Sequence, residues 1–261
     1  MKRWIQLSGL YRREVARFFK VPLQTIGAPI INATLYLLIF GISLGESIKM
    51  EGELSYLAFL IPGLTAMSLI RNSFDNASSA IIGQKYLNEL QDLRVTPFSI
   101  LQISMAKGIS SLTRGLLVAF ITIIVGEIFY FIEYRELLSI ANPFTLTYFL
   151  LCGGLAFGFL GIAVAMYSRS FEHVGAVSLL ILLPLVYLGG VFFGLEGMHP
   201  VWQKASHLNP LFYLISGIRY GMVGTKGLSL SLSMSMTFLF FLFCSALALM
   251  SLRDGSRYFK S

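Results

Sequence analysis

The chain has 261 residues, of which 56% are hydrophobic and only 13% are charged, with a formal net charge of +7. Soluble domains carry about a quarter charged residues, and the apolar residues here come in runs of about 20, the length of a membrane-spanning helix. The composition therefore argues against a soluble globular domain and predicts an all-α membrane protein. The basic residues cluster at the chain ends and in particular loops, which indicates membrane orientation and argues against a nucleic-acid partner.

The first predicted element is an amphipathic helix over residues 1–21. Its apolar stripe consists of Trp4, Leu7, Tyr11, Val15 and Phe18, and the roughly opposite basic face consists of Lys2, Arg13, Arg17 and Lys20. Such a helix is expected to lie in the membrane interface, with its rings at the acyl boundary and its cations on anionic headgroups. The alternative is a generic membrane anchor with no role in coupling.

Six spans follow in chain order, and an even number puts both termini on one side of the membrane. They cover approximately residues 23–44, 56–74, 108–130, 144–167, 174–193 and 230–252. The amino-terminal segment, the loop after the second span and the carboxy-terminal tail are rich in Lys and Arg, whereas the loops after the first and third spans are rich in Glu. By the positive-inside rule, both termini are predicted to be cytoplasmic.

Between the second and third spans, residues 84–97 (QKYLNELQDLRVTP) predict a short cytoplasmic helix. Its apolar residues recur at helical spacing, its charged residues stay available to water or a partner, and a proline ends it. The residues concerned are Lys85, Tyr86, Leu87, Glu89, Leu90, Asp92, Leu93, Arg94 and Pro97. A helix in this position is well placed to receive a mechanical push from a partner.

On the opposite side, residues 196–222 predict two short re-entrant helices before the last span. Asn209 is a favourable N-cap and Pro210 a favourable first helical residue, so one helix is expected to begin there. Because lipid does not tolerate exposed irregular backbone, these helices must pack on the spans.

Three ionisable residues fall inside the predicted spans. Arg71 and Asp75 lie one helical turn apart near the cytoplasmic end of the second span, and Arg114 lies inside the third. Ionisable groups at membrane depth are costly and tend to face a bundle interior or a wet cavity, so all three are candidate functional residues. The structural alternative is an interfacial ion pair in which the Arg71 side chain extends towards the headgroups.

The sequence contains no motif typical of catalysis or of metal binding. A G-x-x-x-x-G-K-[ST] phosphate loop is missing, so this chain is not expected to be an enzyme or to bind ATP and Mg itself. Residues 41–45 (GISLG) match a G-x-S-x-G nucleophile elbow, but they end a span, which favours helix packing over catalysis. His173, His199 and His207 are placed in loops, with solvated or capping roles.

Over essentially its whole length the chain resembles the ABC-2 type transporter permease family, in its bacterial multidrug-type or unknown-substrate branch. The basic amphipathic start, the six spans, the polar helix and the re-entrant segment match in order. Residues 209–221 (NPLFYLISGIRYG) resemble the family's NPL-x-Y … R signature through Asn209, Pro210, Tyr213 and Arg219. Residues 92–97 (DLRVTP) resemble the family's ending of the coupling helix, with Asp92 at the acidic position.

The resemblance implies that residues 1–261 form a single membrane domain in a bacterial inner membrane, which works as a homodimer with two ATPase subunits. Those subunits would bind ATP and Mg and would dock on the amino-terminal helix, on residues 84–97 and on residues 168–173. The implied substrate of export is a hydrophobic or amphipathic molecule, such as a drug or lipid, or a glycan. A self-sufficient channel or an ion-coupled secondary transporter is the alternative, although a run of intramembrane carboxylates is missing.

Overall fold

A computed structural model describes residues 2–43, 45, 54–87, 89, 98–194, 199–225 and 228–258, with side chains between residues 7 and 254 of these ranges. The helices of the described residues are α1 (Lys2–Phe19), α2 (Leu23–Ser43), α3 (Tyr56–Tyr86), α4 (Ile100–Tyr134), α5 (Pro143–Tyr167), α6 (Phe171–Leu188), α7 (Pro200–Leu208), α8 (Pro210–Val223) and α9 (Leu230–Tyr258). Six of them, α2 to α6 and α9, are long and apolar enough to cross a membrane. The prediction of an all-α protein with six spans is confirmed.

Local capping chemistry determines where several helices begin. The Ser55 side chain accepts a hydrogen bond from the Ala58 amide at the start of α3. Ser99 and Gln102 form a reciprocal capping box at the start of α4. Asn142 caps α5, whose first residue is a proline. Each cap satisfies backbone amides that the first helical turn leaves without a partner.

Two helices extend further into the segment between the second and third spans than predicted. The second span was expected to end near residue 74 and the third to begin near residue 108, but α3 continues to Tyr86 and α4 begins at Ile100. Arg71 therefore lies in the middle of α3 rather than near its end. The added turns contain polar residues such as Asn76 and Lys107, which are buried against other helices and have partners there.

Helix α3 is at the centre of the bundle. In the most apolar part of α3, 83% of the residues are buried. The corresponding share is 17% in α2 and in α6 and 22% in α9. It packs against α4, α5 and α8, with Leu60, Leu69 and Ile70 fully buried. The peripheral spans α2 and α6 each contain π-helical segments, at Leu23–Gly27 and Leu37–Ser43 in α2 and at Ser178–Leu182 in α6.

The segment before the last span forms two short helices, α7 and α8, and α8 begins at Pro210 with Asn209 as its N-cap, as predicted. Helix α8 packs on α3, α5 and α9, and most of its residues are buried. Its carboxyl end also holds the loop before α5, since the amides of Ala141 and Asn142 donate to the carbonyls of Met222 and Gly221. How deeply these helices enter the bilayer stays a prediction.

We expect Gly221→Ala to destabilise the protein by about 1–3 kcal/mol, the usual range for overpacking. A Cβ at this position would lie 2.7 Å from the backbone nitrogen and 2.8 Å from the Cα of Leu146, and backbone atoms cannot move aside cheaply. Gly175→Ala is the matched control, because nothing lies within 4 Å of its added Cβ. Unfolding of both variants in detergent measures the difference, and equal stabilities would contradict the close approach of α8 to α5.

Candidate functional site

A buried ion pair joins α1 to the first turns of α4. Glu14 Oε1 lies 2.9 Å from Lys107 Nζ, and the two side chains are 2% and 0% exposed. Gln84 Nε2 donates to the same carboxylate oxygen at 3.5 Å. Burial alone raises the pKa of Glu14, but the positive charges and hydrogen bonds of Lys107 and Arg17 outweigh it, so the pKa lies below its ordinary value. Glu14 is therefore ionised at neutral pH.

Glu14 and Lys107 were not among the functional residues predicted from the sequence. Glu14 is the single acidic residue in an otherwise basic amphipathic helix. This single carboxylate could have indicated an ion pair, because a carboxylate among cations is well placed to pair with one of them. Its partner lies 93 residues further along the chain, so no local spacing could identify Lys107.

Arg17, predicted to contact lipid headgroups, makes several contacts inside the protein. Its Nη2 donates to the backbone carbonyl and to Oδ1 of Asn76, at 2.8 and 3.0 Å, and its Nε lies 3.3 Å from Glu14 Oε2. Asn76 Nδ2 donates in turn to Ser111 Oγ at 3.2 Å. The guanidinium turns inward because two helices offer it oxygen acceptors, and α1 is thereby joined to α3 as well as to α4.

The apolar stripe of α1 also faces protein where the structure describes it. The Tyr11 hydroxyl is 3.0 Å from Thr113 Oγ1, and Phe18 is only 1% exposed. Tyr11 is half-buried, so only Phe18 of these rings is fully covered by protein. Contact of the α1 rings with the acyl boundary stays a prediction. Arg13 pairs with Glu89 at 2.6 Å in an exposed contact. The Trp4 side chain lies outside the described residues.

The predicted helix over residues 84–97 is only partly described. Gln84, Lys85 and Tyr86 form the last turn of α3, so the expectation of a separate helix beginning at residue 84 is wrong. Tyr86 and Leu87 are exposed, and Glu89 contacts Arg13. Leu90, Asp92, Leu93, Arg94 and Pro97 lie outside the described residues.

Lys85 joins the carboxyl ends of α3 and α5. Its ammonium donates to the backbone carbonyls of Ala165 at 2.8 Å and of Ser168 at 3.0 Å, and also to that of Met166. These carbonyls end a helix and would otherwise lack partners, and a cation there also complements the negative end of the helix dipole. The loop between α5 and α6 is thus tied to the turn of α3 that precedes residues 87–97.

Arg71, Asp75 and Arg114, the three ionisable residues predicted at membrane depth, line one cavity of about 180 Å³ between α2, α3 and α4. The distance from Arg71 Nε to Asp75 Oδ2 is 3.8 Å, and the two side chains are 45% and 43% exposed. Arg114 is buried. Further polar side chains lining the cavity are Gln24, Asn32, Ser68 and Asn72.

The signature residues of α8 make structural contacts. Asn209 Nδ2 donates to the Leu185 carbonyl at 2.7 Å, and the Tyr213 hydroxyl donates to the His207 carbonyl at 2.8 Å. Arg219 donates to the carbonyls of Gly190 and Phe59, and its guanidinium carbon lies 3.6 Å from the centre of the Phe59 ring. Together they join the end of α6, the re-entrant helices and the start of α3.

The remaining sequence motifs are the three histidines and residues 41–45. His173 and His207 lie in helices, so their placement in loops is wrong, whereas His199 caps α7 by accepting the Val201 amide. The described residues contain no group of three side chains suited to a metal ion. Ser43 lies in the last turn of α2 and donates to the Leu38 carbonyl, and Gly41 closely approaches Leu57. These contacts fit the interpretation of GISLG as a helix-packing segment.

Six helices long and apolar enough to cross a membrane, with a polar cavity between α2, α3 and α4, indicate a multi-pass membrane protein. A family model described as ABC-2 type transporter matches residues 5–223. The chain belongs to the ABC-2 type transporter family. It is 33% identical to the inner membrane transport permease YadH of Escherichia coli K12 over 87% of this chain and 86% of that protein. Nodulation protein J of Neorhizobium galegae is 24% identical, over 83% and 80% of the two chains.

Proposed function

We propose that this chain is the permease subunit of an ATP-driven exporter and that it works as a dimer with separate ATPase subunits. The observation that carries the proposal is the network at one end of the bundle, where the three segments expected to dock on an ATPase are bonded to the spans. Lys85 ties residues 168–173 to α3, and Glu14 ties α1 to α4. Chains of packed helices and ion pairs can carry a displacement between distant sites.

A displacement of these segments would be transmitted without local deformation. The Glu14–Lys107 pair is buried, so the screening that weakens exposed ion pairs does not reach it. Arg13 adds an exposed contact from α1 to Glu89, which lies in the segment after α3. An ATPase that pushes on this segment would therefore move α1, α3 and α4 together.

The polar residues of α3 also support a dimer. Arg71 and Asp75 are nearly half exposed although they lie in the middle of a span. Charged groups are costly in contact with lipid tails, so these two residues require a wet cavity or a second protein surface. Two protomers facing each other through this side of α3 would enclose a polar path.

In the proposed exporter both termini are cytoplasmic, and the chain lies in a bacterial inner membrane. The carried substrate is hydrophobic, amphipathic or a glycan.

The test of this function is a pull-down of the tagged chain from its native membranes in mild detergent, followed by mass spectrometry. We expect a P-loop ATPase in stoichiometric amount, because the chain has no phosphate-binding loop of its own. The repeated absence of an ATPase would favour the second candidate, a self-sufficient channel or ion-coupled transporter, for which the charged cavity is the supporting observation. Solute movement in proteoliposomes without ATP would identify that second function.

We expect Lys85→Met to loosen the end of α5 and to weaken recovery of the ATPase. Hydrogen bonds to charged groups contribute about 1.5–3 kcal/mol, so amide exchange at residues 165–170 should rise about tenfold or more. Lys204→Met is the matched control, since Lys204 is exposed on α7. Hydrogen exchange and pull-down of both variants provide the measurement. Unchanged exchange in Lys85→Met would show that the ammonium does not hold this loop.

A further inference from the structure

The cavity at membrane depth carries more positive than negative charge. Two of its lining residues, Arg71 and Arg114, are cationic, and one, Asp75, is anionic. At 3.8 Å the contact between Arg71 and Asp75 is longer than a hydrogen bond, so the two groups are loosely paired. One carboxylate cannot neutralise two guanidinium groups, and the cavity therefore favours an additional anion.

Arg114 points to the same conclusion independently. It is only 7% exposed, and its Nε has no hydrogen-bond partner among the described residues. A buried donor without an acceptor costs free energy, and more so when it carries charge. An anionic oxygen in the adjoining cavity would supply the missing negative charge and acceptors for the guanidinium group.

The rest of the cavity is suited to the same ligand. Gln24 and Asn32 on α2 contribute amides that can donate to a ligand oxygen. The volume of about 180 Å³ is smaller than the roughly 300–1,000 Å³ of pockets that enclose whole drug-sized molecules. It would hold a headgroup such as a phosphate or carboxylate, and not a complete amphiphile or an oligosaccharide.

An apolar depression of about 10 Å³ adjoins this cavity between α3 and α6, and Arg71 lines both spaces. It is too small to enclose an acyl chain. The surface of α6 beside it is apolar, however, with Leu179, Leu180 and Ile181 all more than half exposed. The chain of an amphipathic molecule could lie on that surface while its headgroup stays at Arg71.

We propose that Arg71, Asp75 and Arg114 form a binding site for the anionic headgroup of an amphipathic molecule, whose apolar chain lies along the exposed apolar surface of α6. Asp75 selects against a second negative charge. That this molecule is the exported substrate rests on the proposed function; the headgroup site itself does not.

The test is equilibrium binding of radiolabelled dodecyl phosphate to the purified full-length chain in phosphatidylcholine nanodiscs, with empty nanodiscs subtracted. We expect saturable binding that Arg114→Gln weakens about tenfold or more, the effect of losing one charge-assisted hydrogen bond. Asp75→Asn should tighten binding several-fold, because it removes the competing negative charge. Dodecyltrimethylammonium should not displace the probe.

The control is Arg135→Gln, which removes the same charge at the exposed end of α4. Equal binding by Arg114→Gln and Arg135→Gln, or weaker binding by Asp75→Asn, would overturn the proposal. If Arg114→Gln is not monodisperse, Arg71→Gln replaces it with the same expected loss. Displacement by phosphatidylglycerol in the nanodisc would identify a bilayer lipid as the ligand, and lack of displacement an exported amphiphile.

The two proposals fail separately. An ATPase that is recovered with a chain showing no saturable binding would overturn the headgroup site and leave the exporter. Saturable binding by a chain that never recovers an ATPase would leave the headgroup site and overturn its role in ATP-driven export.

Discussion

Glu14→Ala is expected to lower the free energy of unfolding by about 3–5 kcal/mol, the usual cost of leaving one member of a buried ion pair without its partner. Lys107 is fully buried and has its ion-pair contact with Glu14. Without that carboxylate, the contact of Tyr11 with Thr113 still joins α1 to α4, but the Lys107 charge stays buried without an anionic partner. Unfolding in detergent measures the loss, and hydrogen exchange should show that α1 loses protection before α3 and α5 do.

A charge-removing double variant and an exposed control make this result specific. Glu14→Leu combined with Lys107→Met removes both charges and should recover most of the lost stability, because an apolar pair of similar volume needs no desolvation of ions. Glu133→Ala changes an exposed carboxylate on α4 and should have little effect. Equal losses in the single and double variants would show that packing, and not charge, holds α1.

The same pair makes stability depend on pH. The pKa of Glu14 is below its ordinary value of 4.5 in the folded protein, so its contribution is fully present above pH 4.5. It is lost as the pH falls through the lowered pKa, where the folded carboxylate takes up a proton. We expect the acid-induced decrease in stability to be smaller in the Glu14→Leu and Lys107→Met double variant than in the unmodified protein.

Arg219→Leu is expected to destabilise the re-entrant segment by about 3–5 kcal/mol. A hydrogen bond to a charged group contributes about 1.5–3 kcal/mol, and a desolvated cation–π contact about 2 kcal/mol. Arg219 makes both kinds of contact, with the Gly190 carbonyl at 2.7 Å and with the Phe59 ring. Removing it leaves the Gly190 carbonyl without this donor inside the protein.

Two further variants separate geometry from charge. Arg219→Lys keeps the charge but loses the planar fork that reaches two carbonyls and stacks on a ring, so we expect only partial recovery. Arg12→Leu makes the same chemical change at an exposed position of α1 and should change the free energy of unfolding little. Limited proteolysis of residues 189–210, together with unfolding, provides the measurement. Full stability of Arg219→Leu would show that these contacts do not anchor the segment.

Span positions could be predicted because each depends on its own segment. The apolar runs, the cap at Asn209 and the start of α8 at Pro210 are local, and the structure has them where the sequence placed them. The ends of α3 and α4 could not be predicted in this way. Their polar turns are buried only because Asn76 and Lys107 find partners on other helices.

Some residues of the candidate site could be predicted from the sequence, and the contacts of others could not. Arg71, Asp75 and Arg114 were selected because charge inside an apolar run is visible in the sequence, and they do line one cavity. The inward direction of Arg17 and the contacts of Lys85 were not visible, since their acceptors lie 59 and 80 residues away in the chain. The roles of all these residues in transport stay predictions.

The sequence by itself determined that this is a helical membrane protein with six spans, because transfer of each apolar run into lipid depends on that run alone. Only the tertiary structure decided which charges are buried, which helices they join and where a cavity forms. A buried ion pair between two helices requires contact between groups from distant segments, and these groups meet only when the helices pack together. The pairing of Glu14 with Lys107 is such a contact.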